Sequence, residues 1–123
     1  MCLTNLTTKK AKTAKEDIPC FKVLDNYLFS PYQNLRYCIG NKMSTKDTIR
    51  PNEDGAVNRG LHSFMELGDA QTELSIWVMK EVVVYKAVIP KGAKYFEGVS
   101  NMFDGLYFRK SYASNELIVL EKL

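Results

Sequence analysis

The sequence predicts an α+β fold in which a twisted, mainly antiparallel sheet carries one principal helix, Phe64–Met79, on one face. Three patterns point there. Val82–Ile89 is a β-branched, nearly continuous apolar run of the kind that fills a central strand. Shorter segments cut by Gly, Pro and Asn lie on both sides of it. Leu67, Ala70, Leu74, Trp77 and Val78, by contrast, recur at three- and four-residue spacing, which places them on one side of a helix.

With 123 residues and 46% hydrophobic composition, the chain suits a single domain with a real core, expected over residues 18–123. The formal charge is +3, of which +2 falls in the first 17 residues, where Lys9, Lys10, Lys12 and Lys15 outnumber Glu16 and Asp17. What remains is nearly neutral. A dedicated nucleic-acid binder shows a denser basic face, so nucleic acid is not the expected partner. Cys2, Cys20 and Cys38 are odd in number and lack C-x-x-C spacing, which signals neither a disulfide framework nor a zinc ribbon. No apolar run reaches the roughly 18 residues that cross a membrane, and the start of the chain lacks the pattern of a signal peptide. The expectation is a cytoplasmic protein without a membrane partner.

Residues 1–17 are rich in Thr, Lys, Ala and Asn and read as a flexible or loosely docked basic arm, with Met1, Leu3 and Leu6 able to pack on a neighbouring surface or subunit. After Pro19, Cys20–Leu24 alternates as a half-buried strand, and Asp25-Asn26 supplies turn chemistry. Tyr27–Phe29 and Leu35–Ile39 read as short strands. The 17 residues from Lys42 to Asn58 form a long polar connector. Its Asp47, Glu53 and Asp54 lack EF-hand spacing, and no metal site is expected.

Ser63 and Glu66 have the spacing of a capping box, which sets the expected helix start at Phe64. Pro90-Lys91-Gly92 ends the valine-rich strand. Ala93–Glu97 then reads as a strand or extended edge, Gly98–Gly105 as a loop, and Leu117–Leu120 as the last strand, with Ser114 or Asn115 in the turn before it.

The residues able to carry chemistry fall into two groups. His62, the only histidine, could pair with Cys20 or Cys38 as nucleophile and base, or join Cys2, Cys20 and Cys38 around zinc. Their scattered spacing specifies neither, and no cofactor is expected. The second group is Tyr95, Phe96, Phe103, Tyr107, Phe108 and Tyr112 beside Lys91, Lys94, Arg109 and Lys110. Aromatic faces stack bases and basic side chains hold phosphates, so Tyr95, Phe103, Tyr107, Arg109, Lys110 and Tyr112 are the expected contacts to a small nucleotide or a host protein. An aromatic core with a basic rim would use the same residues.

The segments Arg36–Gly40, Gly60–Phe64 with Asp69-Ala70, Ala87–Gly92, Tyr95–Gly98 and Tyr112–Val119 resemble a family of small phage and prophage proteins whose members share no established activity. That resemblance covers roughly Cys20 to the end of the chain. It implies a mobile-element origin and a host cytoplasm as setting; joined to the absence of a catalytic set and the aromatic and basic C-terminal region, it leads to the expectation of a non-enzymatic protein that binds and neutralises a host component, either a defence protein or its nucleotide signal. A homo-oligomeric virion or assembly protein is the alternative within the same setting.

The chain is also similar, more weakly, to the ADP-ribosyltransferase fold. There His62-Ser63-Phe64 would stand at the Ser-Thr-Ser segment and Glu97 or Glu116 at the late glutamate, although Ser-Thr-Ser and Glu-x-Glu themselves are absent and Lys22 occupies the first strand. That similarity implies an NAD-using enzyme with His62, Ser63, Glu97 and Glu116 as its site.

Overall fold

A computed structural model describes residues 3–31, 35–45, 48–74, 81–102 and 107–123, with the side chains of 101, 102, 107 and 108 outside that description. The chain forms β1 (Leu3–Thr4), β2 (Lys12–Thr13), β3 (Ile18–Asp25), β4 (Lys42–Ser44), β5 (Leu61–Phe64), α1 (Leu67–Leu74), β6 (Val82–Ile89), β7 (Lys94–Met102), β8 (Tyr107–Ser114) and β9 (Glu116–Lys122). The strands join one sheet in the order β1-β7-β8-β5-β3-β6-β9-β4, with β2 also on β7, and every pairing is antiparallel. The expected antiparallel sheet is therefore present, and the helix is a minor part of it.

One connection forces the sheet to curl. β8 and β9 are joined by Asn115 alone, yet β5, β3 and β6 lie between them in the sheet. Four strand spacings in a flat sheet span about 19 Å, whereas a single linking residue bridges roughly 7 Å. The corner is held on both sides: Asn115 N–H donates to Lys94 O at 3.0 Å, and Lys94 N–H donates to Asn115 Oδ1 at 2.8 Å. Curling gives the sheet an inner face, where Cys20, Leu24, Leu61, Ala87, Ile89, Tyr112, Leu117 and Val119 meet in one cluster.

The outer face is covered in two places. Ala70 and Leu74 of α1 pack on Val23, Phe64 and Val84. Leu3, Ile49 and Val57 pack on Phe96 and Ala113. The second cover includes the segment read as a flexible or loosely docked arm, which docks: Leu3 exchanges backbone hydrogen bonds with Val57, and β1 and β2 pair with β7. Gly98 permits this approach, since a Cβ there would lie 2.4 Å from the Thr4 carbonyl oxygen.

Several local expectations give way. The described helix begins at Leu67 rather than Phe64, and residues 75–80 lie outside the described part. Ser63 and Phe64 belong to β5, which is sandwiched between β3 and β8, so two strand ladders outweigh the capping box. Tyr27–Phe29 and Leu35–Ile39 are not strands; an isolated Phe29–Arg36 bridge links the two segments, and a turn over Asp25–Leu28 follows β3. Asp25 organises that turn by accepting the Tyr27 and Phe29 N–H groups at 2.9 Å each. Leu28 sits there at φ 69°, a left-handed conformation uncommon for a bulky residue. Part of the expected Gly98–Gly105 loop is strand, because β7 continues to Met102.

Candidate functional site

Strand register lines up an unusual layer on the inner face. Tyr85 of β6 lies opposite Lys22 of β3. With Phe21 opposite Phe64, the antiparallel step places Lys22 beside Ser63 of β5. Ser63 in turn opposes Tyr112 of β8, and Tyr112 opposes Glu97 of β7. Five adjacent strands thus contribute Tyr, Lys, Ser, Tyr and Glu to one row of an otherwise apolar interior. Tyr37, from the Leu35–Ile39 segment, lies over it.

The middle of this layer is dry. Lys22, Tyr37 and Ser63 are 5%, 0% and 1% exposed. Lys22 Nζ donates to His62 O at 2.5 Å and stands 5.2 Å from the centre of the Tyr37 ring. Burial pulls the ammonium down to about 8, opposed by the neighbouring Cys20 thiol. Burial pushes Cys20 up to about 11, so the thiol stays protonated at neutral pH. Tyr37 is also raised, by burial and then by Cys20. Among the described residues the Tyr37 hydroxyl has no hydrogen-bond partner, and the Ser63 hydroxyl has the Cys20 thiol as its neighbour, a contact that lowers the thiol against the larger effect of burial.

At one end the layer reaches the surface. Tyr95 meets Tyr112 edge to face, with ring centres 5.9 Å apart at 80°. Tyr95 also lines a cavity of about 680 Å³ together with Lys12, Ala14, Lys15, Glu16 and Ile18, so two ammonium groups and one carboxylate face it. Burial, followed by the charge of Glu97, raises Tyr112 to about 12. Lys94 beside this cavity donates to Thr13 Oγ1, which ties β2 to the rim.

The structure scatters the other sequence-derived candidates. His62 is enclosed and projects outward from β5, the face opposite to Ser63 and Cys20, so its ring shares no pocket with either. Its Nε2 lies 3.2 Å from Asn58 O, and burial, then the charge of Lys22, pulls it down to about 4. Glu116 forms an ion pair with Lys42 at 3.0 Å, on the β4 side of the sheet. Cys38 is exposed and Cys20 buried. Among the described residues no three His, Cys, Asp or Glu side chains gather as a metal site.

Of the aromatic and basic group, Tyr95 and Tyr112 are brought together. Arg109 is not on a rim: it is buried on the outer face, its Nη1 2.6 Å from Glu73 Oε2 of α1. Lys110 is exposed, with its Nζ 4.0 Å from Glu66 Oε1. Phe103 and the side chain of Tyr107 lie outside the described residues. The residue that sequence reasoning passed over is Lys22, because an alternating strand presents its lysine as a solvent-facing position. The buried Tyr37 and Ser63 hydroxyls left no sequence signal.

Comparisons with protein-family models, curated proteins and solved structures give no match to this chain.

Proposed function

We propose that the protein is a small, non-enzymatic, phage-type binding protein that neutralises a host component, and that the component is a nucleotide signal held at the Tyr95 cavity. The observation that carries this reading is the partly exposed Tyr95 ring, braced edge-on by Tyr112 and placed beside Lys12 and Lys15 in a cavity of about 680 Å³. Such a volume suits a nucleotide-sized molecule. An aromatic face accepts a base by stacking, and two ammonium groups supply the charge that phosphates require. The resemblance to small phage proteins supports the neutralising role.

Calorimetric titration of the full chain with nucleoside monophosphates and cyclic dinucleotides tests the reading. Binding is expected, with the nucleotide recovered intact after incubation. Tyr95→Ala and the double change Lys12→Ala, Lys15→Ala should each weaken it by about tenfold, the effect of roughly 1.4 kcal/mol. Failure of every nucleotide to bind the unaltered protein would remove this reading. Release of nicotinamide from NAD would favour the transferase-like alternative instead.

A further inference from the structure

We propose that the inner layer is a binding site for an oxyanion, a carboxylate or phosphate group, in which Lys22 supplies the charge and the Tyr37 and Ser63 hydroxyls supply directed hydrogen bonds. This assignment does not depend on the Tyr95 reading, because it rests on different residues.

Donors outnumber acceptors around Lys22 among the described residues. Lys22 Nζ carries three N–H donors and is matched by one backbone oxygen, His62 O. Tyr37 adds a buried hydroxyl that has no partner among the described residues, and Ser63 adds one whose neighbour is the weakly hydrogen-bonding Cys20 thiol. Among the described residues, the titratable groups coupled to the Lys22 charge are Cys20 and His62, and neither is a carboxylate. Glu97, the carboxylate in the same row, lies beyond Tyr112 and acts on that phenol.

An apolar interior ordinarily excludes an ammonium that lacks a counter-charge. Here one stands 5.2 Å from the centre of the Tyr37 ring, with Ser63 next to it on the adjacent strand, about 5 Å away. A carboxylate or phosphate offers several lone pairs within that span and would satisfy all three groups at once. Tyr112 adjoins both this layer and Tyr95, so the anion can arrive free or as the charged end of a molecule seated at the cavity.

The test follows the side-chain Cε resonance of Lys22 by NMR, assigned through its loss in Lys22→Met, during titration of the full chain. One arm uses inorganic phosphate and acetate at ionic strength held constant with sodium chloride. The other compares a nucleoside monophosphate with the uncharged nucleoside. The expected result is a saturable shift of the Lys22 signal in at least one arm, with a rise in Tm. Tyr37→Phe and Ser63→Ala should keep the fold and weaken the interaction about tenfold each, as loss of a hydrogen bond to a charged group does.

A shift with free anions places the site independently of the cavity. A shift with the monophosphate alone shows that the group arrives attached. If neither arm moves the Lys22 signal, the proposal is overturned. If nucleotides bind and perturb Tyr95 while Lys22 stays still, this site fails and the cavity reading survives; the converse result separates them the other way.

Discussion

Arg109 and Lys22 are both buried cations of the same sheet, but their surroundings differ. Arg109 leaves the outer face of β8 and meets the Glu73 carboxylate of α1 at 2.6 Å, an ion pair that fastens the helix to the sheet. Lys22 leaves the inner face of β3 and, among the described residues, finds one backbone oxygen and the face of a tyrosine but no carboxylate. A buried charge with its counter-charge is consistent with architecture alone. One without it destabilises the fold, and such a feature is expected where a ligand supplies what is missing.

Removing the counter-charge from the first cation gives the largest expected effect. Glu73→Gln leaves the guanidinium buried against a neutral amide and should lower the unfolding free energy by about 3 kcal/mol, read from urea denaturation. Replacing both partners by apolar residues should recover much of that loss. A negligible effect of the single change would put Arg109 in the same class as Lys22 and break the comparison.

His62 gives the next effect, because it is buried uncharged. The unfolded chain takes up a proton near pH 6.5 and the folded protein only near 4. Stability is therefore lost as pH falls through that window, by up to about 3 kcal/mol, and is fully present above it. Urea midpoints measured across the window should fall towards acid, and His62→Gln should flatten the slope. An unchanged slope would mean that the imidazole is not enclosed as described.

The smallest effect has the opposite sign. Lys22→Met removes an uncompensated charge and should stabilise the ligand-free protein by about 2 kcal/mol at neutral pH. A group whose folded pKa is depressed to about 8 from 10.5 holds its proton in both states below 8, so the destabilisation is complete there. It fades as pH rises towards 10.5, where the unfolded chain alone still binds the proton.

Much of the sheet was legible in the chain, because its signals are local. The β-branched run became β6 with the expected limits, and the alternating segment after Pro19 became β3. The capping box misled because local hydrogen bonding around Ser63 competes with two neighbouring strands that only the tertiary fold supplies. The arm was read as flexible or loosely docked, since its few apolar residues cannot fold alone; where it docks was not legible, because the partners of Leu3, among them Val57 and Phe96, are distant in sequence.

The candidate site was half legible. Tyr95 and Tyr112 announced themselves as aromatic residues near lysines. Lys22 did not, since alternation tells which residues share a face and not whether both faces are covered. In a curled sheet with α1 outside and Tyr37 inside, both faces of β3 are buried.

Whether Lys22 is held for a ligand rather than for the fold is read from urea unfolding of Lys22→Met beside the unaltered protein. The expected result is a higher midpoint for the variant without anion at neutral pH, an advantage that shrinks as pH approaches 10.5 and when phosphate or a nucleoside monophosphate saturates the unaltered protein. A variant less stable under all of these conditions would contradict the account and make Lys22 a structural residue.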